Sequence, residues 1–317
     1  MSLSQTEPGP STPFGVTPAD LFSQAPRRRW WQRATQVAPI RIVLGFLFVL
    51  PGAFVEPLVW HFSSLGVQLA ASIGVSALLL LLFAAFARLI ERRRPRELSL
   101  GHAPIEWLVG FAGGIALLAA TVGILAIAGL YRIRAGGDAR ALVIGIAQFA
   151  PHALLEELLL RAIVFKITEE SIGSRAALGI QAALFGAMHL GNPSATIGAA
   201  VAIMLEAGLL LAIGYMVTRR LWLAWGFHLG WNYAQGTLFG IHVSGLTVTS
   251  SVLVSSPEGP DAITGGSFGV EASPIAVVVC LTATALLWRF AVRRGEVLTY
   301  RGQRERLREL RAALVSR

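Results

Sequence analysis

The stretch ALVIGIAQFAPHALLEELLLRAIVF, residues 141–165, decides how the chain is read. It is long and apolar enough to cross a bilayer, which takes about 20 residues of helix. Yet it carries His152, Glu156, Glu157 and Arg161. An ionisable side chain at bilayer depth costs roughly 2.5–3.5 kcal/mol on insertion scales, so each of these needs a reason. Glu157 and Arg161 stand four residues apart on one helical face and can pair. A buried guanidinium keeps its charge, and a carboxylate is its natural counter-ion. Glu156 is rotated by about 100° from Glu157 and is left without that arginine. His152 lies one turn before Glu156 on the same face. Two neighbouring glutamates therefore have different surroundings, one paired and one free to act as a base, a recurrent way of dividing acid–base roles. In a soluble protein EELLLR would be an ordinary surface ion pair; inside this apolar run that reading loses.

The rest of the chain fits a membrane setting. Hydrophobic residues make up 54% of the 317 and charged residues 14%, against about 25% charged in soluble domains. Mean hydropathy is +0.62. Eight apolar segments are read, at 40–60, 65–89, 105–131, 140–166, 176–190, 195–217, 221–241 and 274–292. Helix is the default, because backbone groups in lipid must be satisfied within the segment, and the alternation of a membrane β-strand is missing. The expected fold is therefore all-α, a polytopic transmembrane bundle of about eight helices over 37–292, with a core at 140–241. The fifth segment is short; either 169–175 extends it or it stops inside the bundle. The first contains Pro51 and Glu56, which blur its boundary. Residues 1–36 are polar and Pro/Ser-rich, without a secretory signal, and are expected to be a disordered tail. Residues 293–317 place Leu307, Leu310 and Leu314 at helical spacing among arginines, as a basic amphipathic tail does.

The net charge of +9 does not point to nucleic acid, because the arginines sit between apolar blocks. Juxtamembrane arginine follows from the positive-inside rule and from anionic headgroups. With the N-terminus in the cytoplasm, nearly all Lys and Arg fall inside, and the 242–273 loop falls outside with Glu258, Asp261 and Glu271 and no basic residue. Arg132, Arg134 and Arg140 are the exceptions. Eight spans then leave both termini cytoplasmic. The lone Cys280 excludes an intramolecular disulfide and reads as packing. No internal repeat supports an inverted-repeat transporter.

Other polar residues lie in apolar segments. His189 is in ALFGAMHLG, and His228 and Asn232 are in WGFHLGWNYAQG. Each histidine alone would be a hydrogen-bonded core residue; together with Glu156 and Glu157 they point to one shared site. Glu206, alone in the sixth segment, reads either as a cavity-lining group or as part of a polar cluster. Trp222, Trp225 and Trp231 read as interface anchors and packing, and the glycines at 265–269 as loop-shaping.

Three motifs carry a resemblance. E-E-x-x-x-R is Glu156, Glu157 and Arg161; F-x-x-x-H is Phe185 and His189; H-x-x-x-N is His228 and Asn232. In order and spacing they resemble the CAAX-protease/bacteriocin-processing (Abi) family of intramembrane endopeptidases. The likeness covers 140–241 and extends through LEAGLLLAIGY (205–215), GTLFGIHVSG (236–245) and TGGSFGVEAS (264–273), which are similar to a bacterial branch. The resemblance implies a bacterial plasma-membrane protease. In it Glu156 is the base that activates water, and His189 helps to position that water. His228 and Asn232 stabilise the oxyanion, and Glu157 and Arg161 form a supporting pair. The chemistry agrees, since amide hydrolysis needs an activated water and donors aimed at the developing charge. The competing mechanism is zinc held by Glu156, His189 and His228 with an open water position; no H-E-x-x-H is present, and catalysis without a cofactor is preferred. The implied partner is a polypeptide in or at the membrane. The rival readings are a non-proteolytic relative, of immunity or chaperone type, and a proton-coupled transporter.

Overall fold

The computed structural model describes residues 37–299 apart from residue 63. The expected N-terminal tail and the leucines at 307, 310 and 314 lie outside the described residues. Within them eight long helices follow the eight apolar segments: α1 (Ala38–Val55), α2 (Leu65–Leu89), α3 (Ala103–Ile127), α4 (Ala141–Ile172), α5 (Ser174–Met188), α6 (Ile197–Thr218), α7 (Trp222–Asn232) and α8 (Pro274–Arg293). Six of the helical stretches are long and apolar enough to cross a membrane; α5 and α7 are too short. The chain is an all-α integral membrane bundle.

Local chemistry sets the departures from the expected boundaries. Pro51 sits inside α1, and the chain passes at Glu56 into a 3₁₀ turn, Glu56–His61. The third segment does not run to 131. Gly129 takes a left-handed φ of 73°, which ends the helix, and Tyr131–Ala135 forms a strand, β1, antiparallel to β2 (Leu253–Pro257). In YRIRA every second residue is arginine, which suits a strand at the water surface. Arg132 pairs there with Glu258 at 3.1 Å, so one of the exceptional arginines meets the acidic loop.

That sheet marks one end of the bundle. The other end gathers the start of α1, the end of α2, the start of α3 and the ends of α4, α6 and α8 in one ion-pair cluster. Arg41 bridges Glu91 and Glu170, Lys166 bridges the same two glutamates, and Arg93 reaches Glu91 and Glu97. Arg219 meets Glu169 and Glu296, and Arg220 meets Glu106. Much of the basic charge read as headgroup-facing is thus matched inside the protein. After Arg293 the chain leaves the helix at Gly295 and docks, with the Ser174 amide donating to the Leu298 carbonyl at 3.0 Å.

Two devices fix the helices around the site. Gly110 and Gly114 of α3 face Gly226 and Gly230 of α7. A Cβ on any of the four would run into backbone of the opposite helix: Leu223, Phe227, Trp107 and Phe111 respectively. This is a reciprocal small-residue seam, the usual way for membrane helices to approach closely. The second device is π-helix. Leu158–Phe165 within α4, Met204–Gly208 within α6 and Tyr233–Leu238 after α7 are all π-helical. Such segments are rare, appear often at functional sites and change the facing of the residues that follow. Here they hold Arg161 and Glu206 and begin directly after Glu157 and Asn232.

Candidate active site

The site is built where α4, α5 and α7 meet. On α4, Arg161 donates from Nη1 to Glu157 Oε1 at 2.9 Å and from Nη2 to the Ala207 carbonyl of α6 at 2.9 Å. Both partners of the pair are sealed, with side-chain exposure of 0%. The guanidinium also lies over the Phe185 ring, 4.5 Å from its centre. The seal makes the pair an anchor between α4, α5 and α6 and withdraws Glu157 from reaction. Glu156, one residue earlier, is turned away and keeps 13% side-chain exposure. The split between the two glutamates expected from their helical positions is present in the geometry.

His228 bridges them. Its Nδ1 lies 2.8 Å from Glu157 Oε1, and its Nε2 lies 3.5 Å from Glu156 Oε2. An ionised carboxylate only accepts, so Nδ1 carries a hydrogen, and the ring is held by its back nitrogen with Nε2 facing Glu156. His189, at the end of α5, has Nδ1 2.8 Å from the Phe185 carbonyl. A carbonyl also only accepts, which leaves Nε2 of the neutral ring as the acceptor. Phe185, the other half of F-x-x-x-H, stacks edge-on against His189 at 4.8 Å and against His228 at 6.0 Å. One phenyl ring thus supports Arg161, His189 and His228.

Glu156, His189, His228 and Asn232 line one cavity of about 110 Å³, together with His152, Asn192 and Ser244. The three helices carrying them therefore converge. The short fifth helix is what permits it: α5 ends at Met188 and a 3₁₀ turn, His189–Gly191, follows, so His189 sits at a helix end. On α7 the residues 226 and 230 face α3, and the residues 228 and 232, rotated by about 200°, face the cavity. The glycine seam fixes how far His228 and Asn232 reach.

The sequence reading placed His152 on the face of Glu156, but Glu56, Asn192 and Ser244 escaped it. His152 lies 3.7 Å from Glu156 and also 3.5 Å from Glu56, a residue read only as an obstacle to the first span. Asn192 donates to the Ser244 carbonyl at 3.0 Å, and both line the cavity. The 242–273 segment is not merely an outer loop: Val243 is buried, and Val243, Ser244 and Leu246 form part of the cavity wall. Its glycines were the signal, because Gly265, Gly266 and Gly269 all take positive φ, a sharply folded segment. The tryptophans prove to be packing. Trp222 and Trp231 are buried, and Trp225 donates to the Ala150 carbonyl at 2.9 Å, tying α7 to α4.

Among the described residues no group of three or more His, Cys, Asp or Glu is arranged to hold a metal ion. His228 has its Nδ1 committed to Glu157, and its Nε2 stands at ion-pair range from the Glu156 carboxylate.

Fold and site define an integral membrane protein with a carboxylate–histidine centre inside a helical bundle. Residues 138–234 match the family described as type II CAAX prenyl endopeptidase Rce1-like, the family to which the motifs pointed. That span contains Glu156, Glu157, Arg161, His189, His228 and Asn232. No curated protein and no solved structure matches the chain.

Proposed function

We propose that this protein is an intramembrane endopeptidase of glutamate type, cleaving a membrane-associated or lipidated polypeptide. One observation supports the reading: Glu156 of α4, partly exposed, shares a cavity with His189 at the end of α5 and with His228 and Asn232 of α7. A water between Glu156 and the free Nε2 of His189 gives a proton to Glu156 while its oxygen attacks the scissile carbonyl. His228 Nε2, once it carries the second ring proton, and the Asn232 amide donate to the oxyanion. Glu156 then passes the proton to the leaving nitrogen as the C–N bond breaks, giving a carboxyl and an amine product. Donors of this kind are typically worth about 10²–10³ in rate.

The orientation proposed is both termini cytoplasmic in a bacterial plasma membrane, with the β1–β2 sheet outside. The charged cluster at the opposite end supports it. Labelling of a Ser256→Cys variant in intact cells checks it; protection of that exposed site would reverse the orientation.

Comparative proteomics of membranes from wild-type and Glu156→Ala cells tests the activity. The expected result is a polypeptide that stays uncleaved in the variant. Purified protein should then cleave a peptide of that sequence after exhaustive chelation. Loss of cleavage on chelation, restored by zinc and accompanied by stoichiometric zinc that His228→Ala removes, would overturn the glutamate mechanism. Identical membrane peptide profiles in wild-type and variant cells would favour the non-proteolytic reading.

A further inference from the structure

Behind His189, His228 and Asn232 lies a second, smaller cavity of about 30 Å³. It shares those three residues and Ser244 with the first, but its acids are different. Glu206 comes from the π turn of α6 and Glu271 from the segment leading into α8. The two residues are 2% and 3% exposed. One oxygen of each, Glu206 Oε2 and Glu271 Oε1, has no hydrogen-bond partner among the described residues. Among the described residues no lysine or arginine lines the space. The nearby Arg161 is committed to Glu157 and to the Ala207 carbonyl.

Two carboxyls facing one buried space without a cation do not both ionise, because like charges and desolvation act in the same direction. An unpaired buried acceptor is costly, so the two orphan oxygens call for a donor. A proton on the pair supplies one. Water supplies another, and the space exceeds the roughly 10–15 Å³ that one water needs. Glu271 is also tied to the first cavity, because Ser244, which lines both spaces, lies against its carboxyl together with Gln235. Ser244 in turn holds Asn192 through its carbonyl.

We propose that Glu206 and Glu271 form a proton-sharing carboxylate pair, joined through water in this chamber, that positions His189 and Asn232 from the side opposite Glu156. The positioning half rests on the hydrolytic reading of the Glu156 cavity; the proton-sharing half does not. The titratable groups facing the pair are His189 from α5, His228 from α7, Cys280 from α8 and Tyr131 from β1. Burial pushes the Glu271 carboxyl up from its ordinary value. That direction favours the neutral acid.

Infrared spectroscopy of the purified full-length protein with ¹³C-labelled glutamate tests the first half. A protonated-carboxyl C=O band that shifts with the label should be present at neutral pH and disappear in both Glu206→Gln and Glu271→Gln. No such band in the wild type overturns proton sharing, and that arm stands even where a variant fails to fold. Loss of the band in only one variant overturns it too, in favour of a single buried acid. The second half is read with a peptide found in the Glu156→Ala comparison. Each Gln variant should lower kcat by roughly 10- to 100-fold, the scale of a slightly misplaced catalytic group, with KM little changed and the alkaline limb of the pH profile displaced. Unchanged kcat and pH profile in variants that have lost the band would overturn positioning. A wild type that shows the band but cleaves nothing would sink the protease reading alone.

Discussion

The protein buries charge in two places, and the two are solved differently. At the basic end Glu91 alone receives Arg41, Arg93 and Lys166, and Glu97, Glu106, Glu169, Glu170 and Glu296 each have an arginine or lysine partner. At mid-bundle Glu156 has only histidines, at 3.5 and 3.7 Å. There Glu156 keeps 13% side-chain exposure, and a cavity opens beside it. Burial is common to both regions; the completeness of the pairing is what differs. A matched cluster has nothing left to offer a guest and serves to join helices. A cluster with capacity left over, next to empty space, has room for water and a substrate carbonyl. Perturbed, incompletely satisfied groups in a cleft are the expected physical mark of a functional site.

The largest effect should come from Glu156, the carboxylate that is partly exposed to the cavity. Glu156→Gln should abolish cleavage, with the loss on the order of 10²–10⁴ that removing a general base brings, while thermal unfolding stays close to wild type. Glu157→Gln should show the reverse emphasis. It leaves Arg161 and His228 facing an amide in place of a carboxylate, and breaking a sealed pair typically costs about 3–5 kcal/mol. Its thermal midpoint should drop sharply, and activity should fall with it because His228 loses the group that holds its ring. Equal stability losses in the two variants would erase the distinction between the regions.

The basic end should fail with acid. Burial pushes the Glu91 carboxyl up, but Lys166, Arg93 and Arg41 outweigh it and hold it at about 2, from an ordinary value of 4.5. A carboxyl depressed in the folded state adds stability above its unfolded pKa and loses it as pH falls through the folded one. The contribution should therefore be whole above about pH 4.5 and drain away toward pH 2, on the order of 3 kcal/mol at most. Thermal scans over that window should show a smaller acid loss in Glu91→Gln than in wild type. Parallel curves would mean that the cluster is not what holds that end together.

How much of this was legible beforehand follows from what each feature depends on. The eight helices were readable because lipid forces backbone groups to pair within apolar runs, and the division of Glu156 from Glu157 because helical rotation is fixed by position. The convergence of His189 and His228 was readable from three motifs taken together. Other features depend on distance through space, which spacing does not carry. Glu56 reaches His152 only because α1 bends at its end; Asn192 and Ser244 meet only because the outer segment folds back. The pairing of arginines at the basic end was hidden for the same reason. The glycine seam had a visible signal, since Gly110 and Gly114, and Gly226 and Gly230, each stand four apart. Their use was masked because glycine is frequent throughout this chain.

That seam gives the smallest and most local of the tests, and it bears on how the mid-bundle region is held without charge. Gly230→Ala places a methyl group against the Phe111 carbonyl, a backbone atom that cannot swing aside. The helices must part, at a cost typical of overpacking, about 1–3 kcal/mol. Gly113→Ala is the control on the facing helix. Its methyl would meet only the Phe227 side chain, at 3.4 Å, an ordinary contact, and alanine is the better helix former by about 1 kcal/mol. Thermal unfolding should therefore be lowered by the first substitution and not by the second. Activity should separate further than stability, because His228 and Asn232 ride on the opposite face of the same helix and move with it. A Gly230→Ala variant that cleaves as fast as wild type would show that the cavity tolerates a displaced α7. The reach of His228 and Asn232 would then be set by Glu157 and Phe185 rather than by the seam.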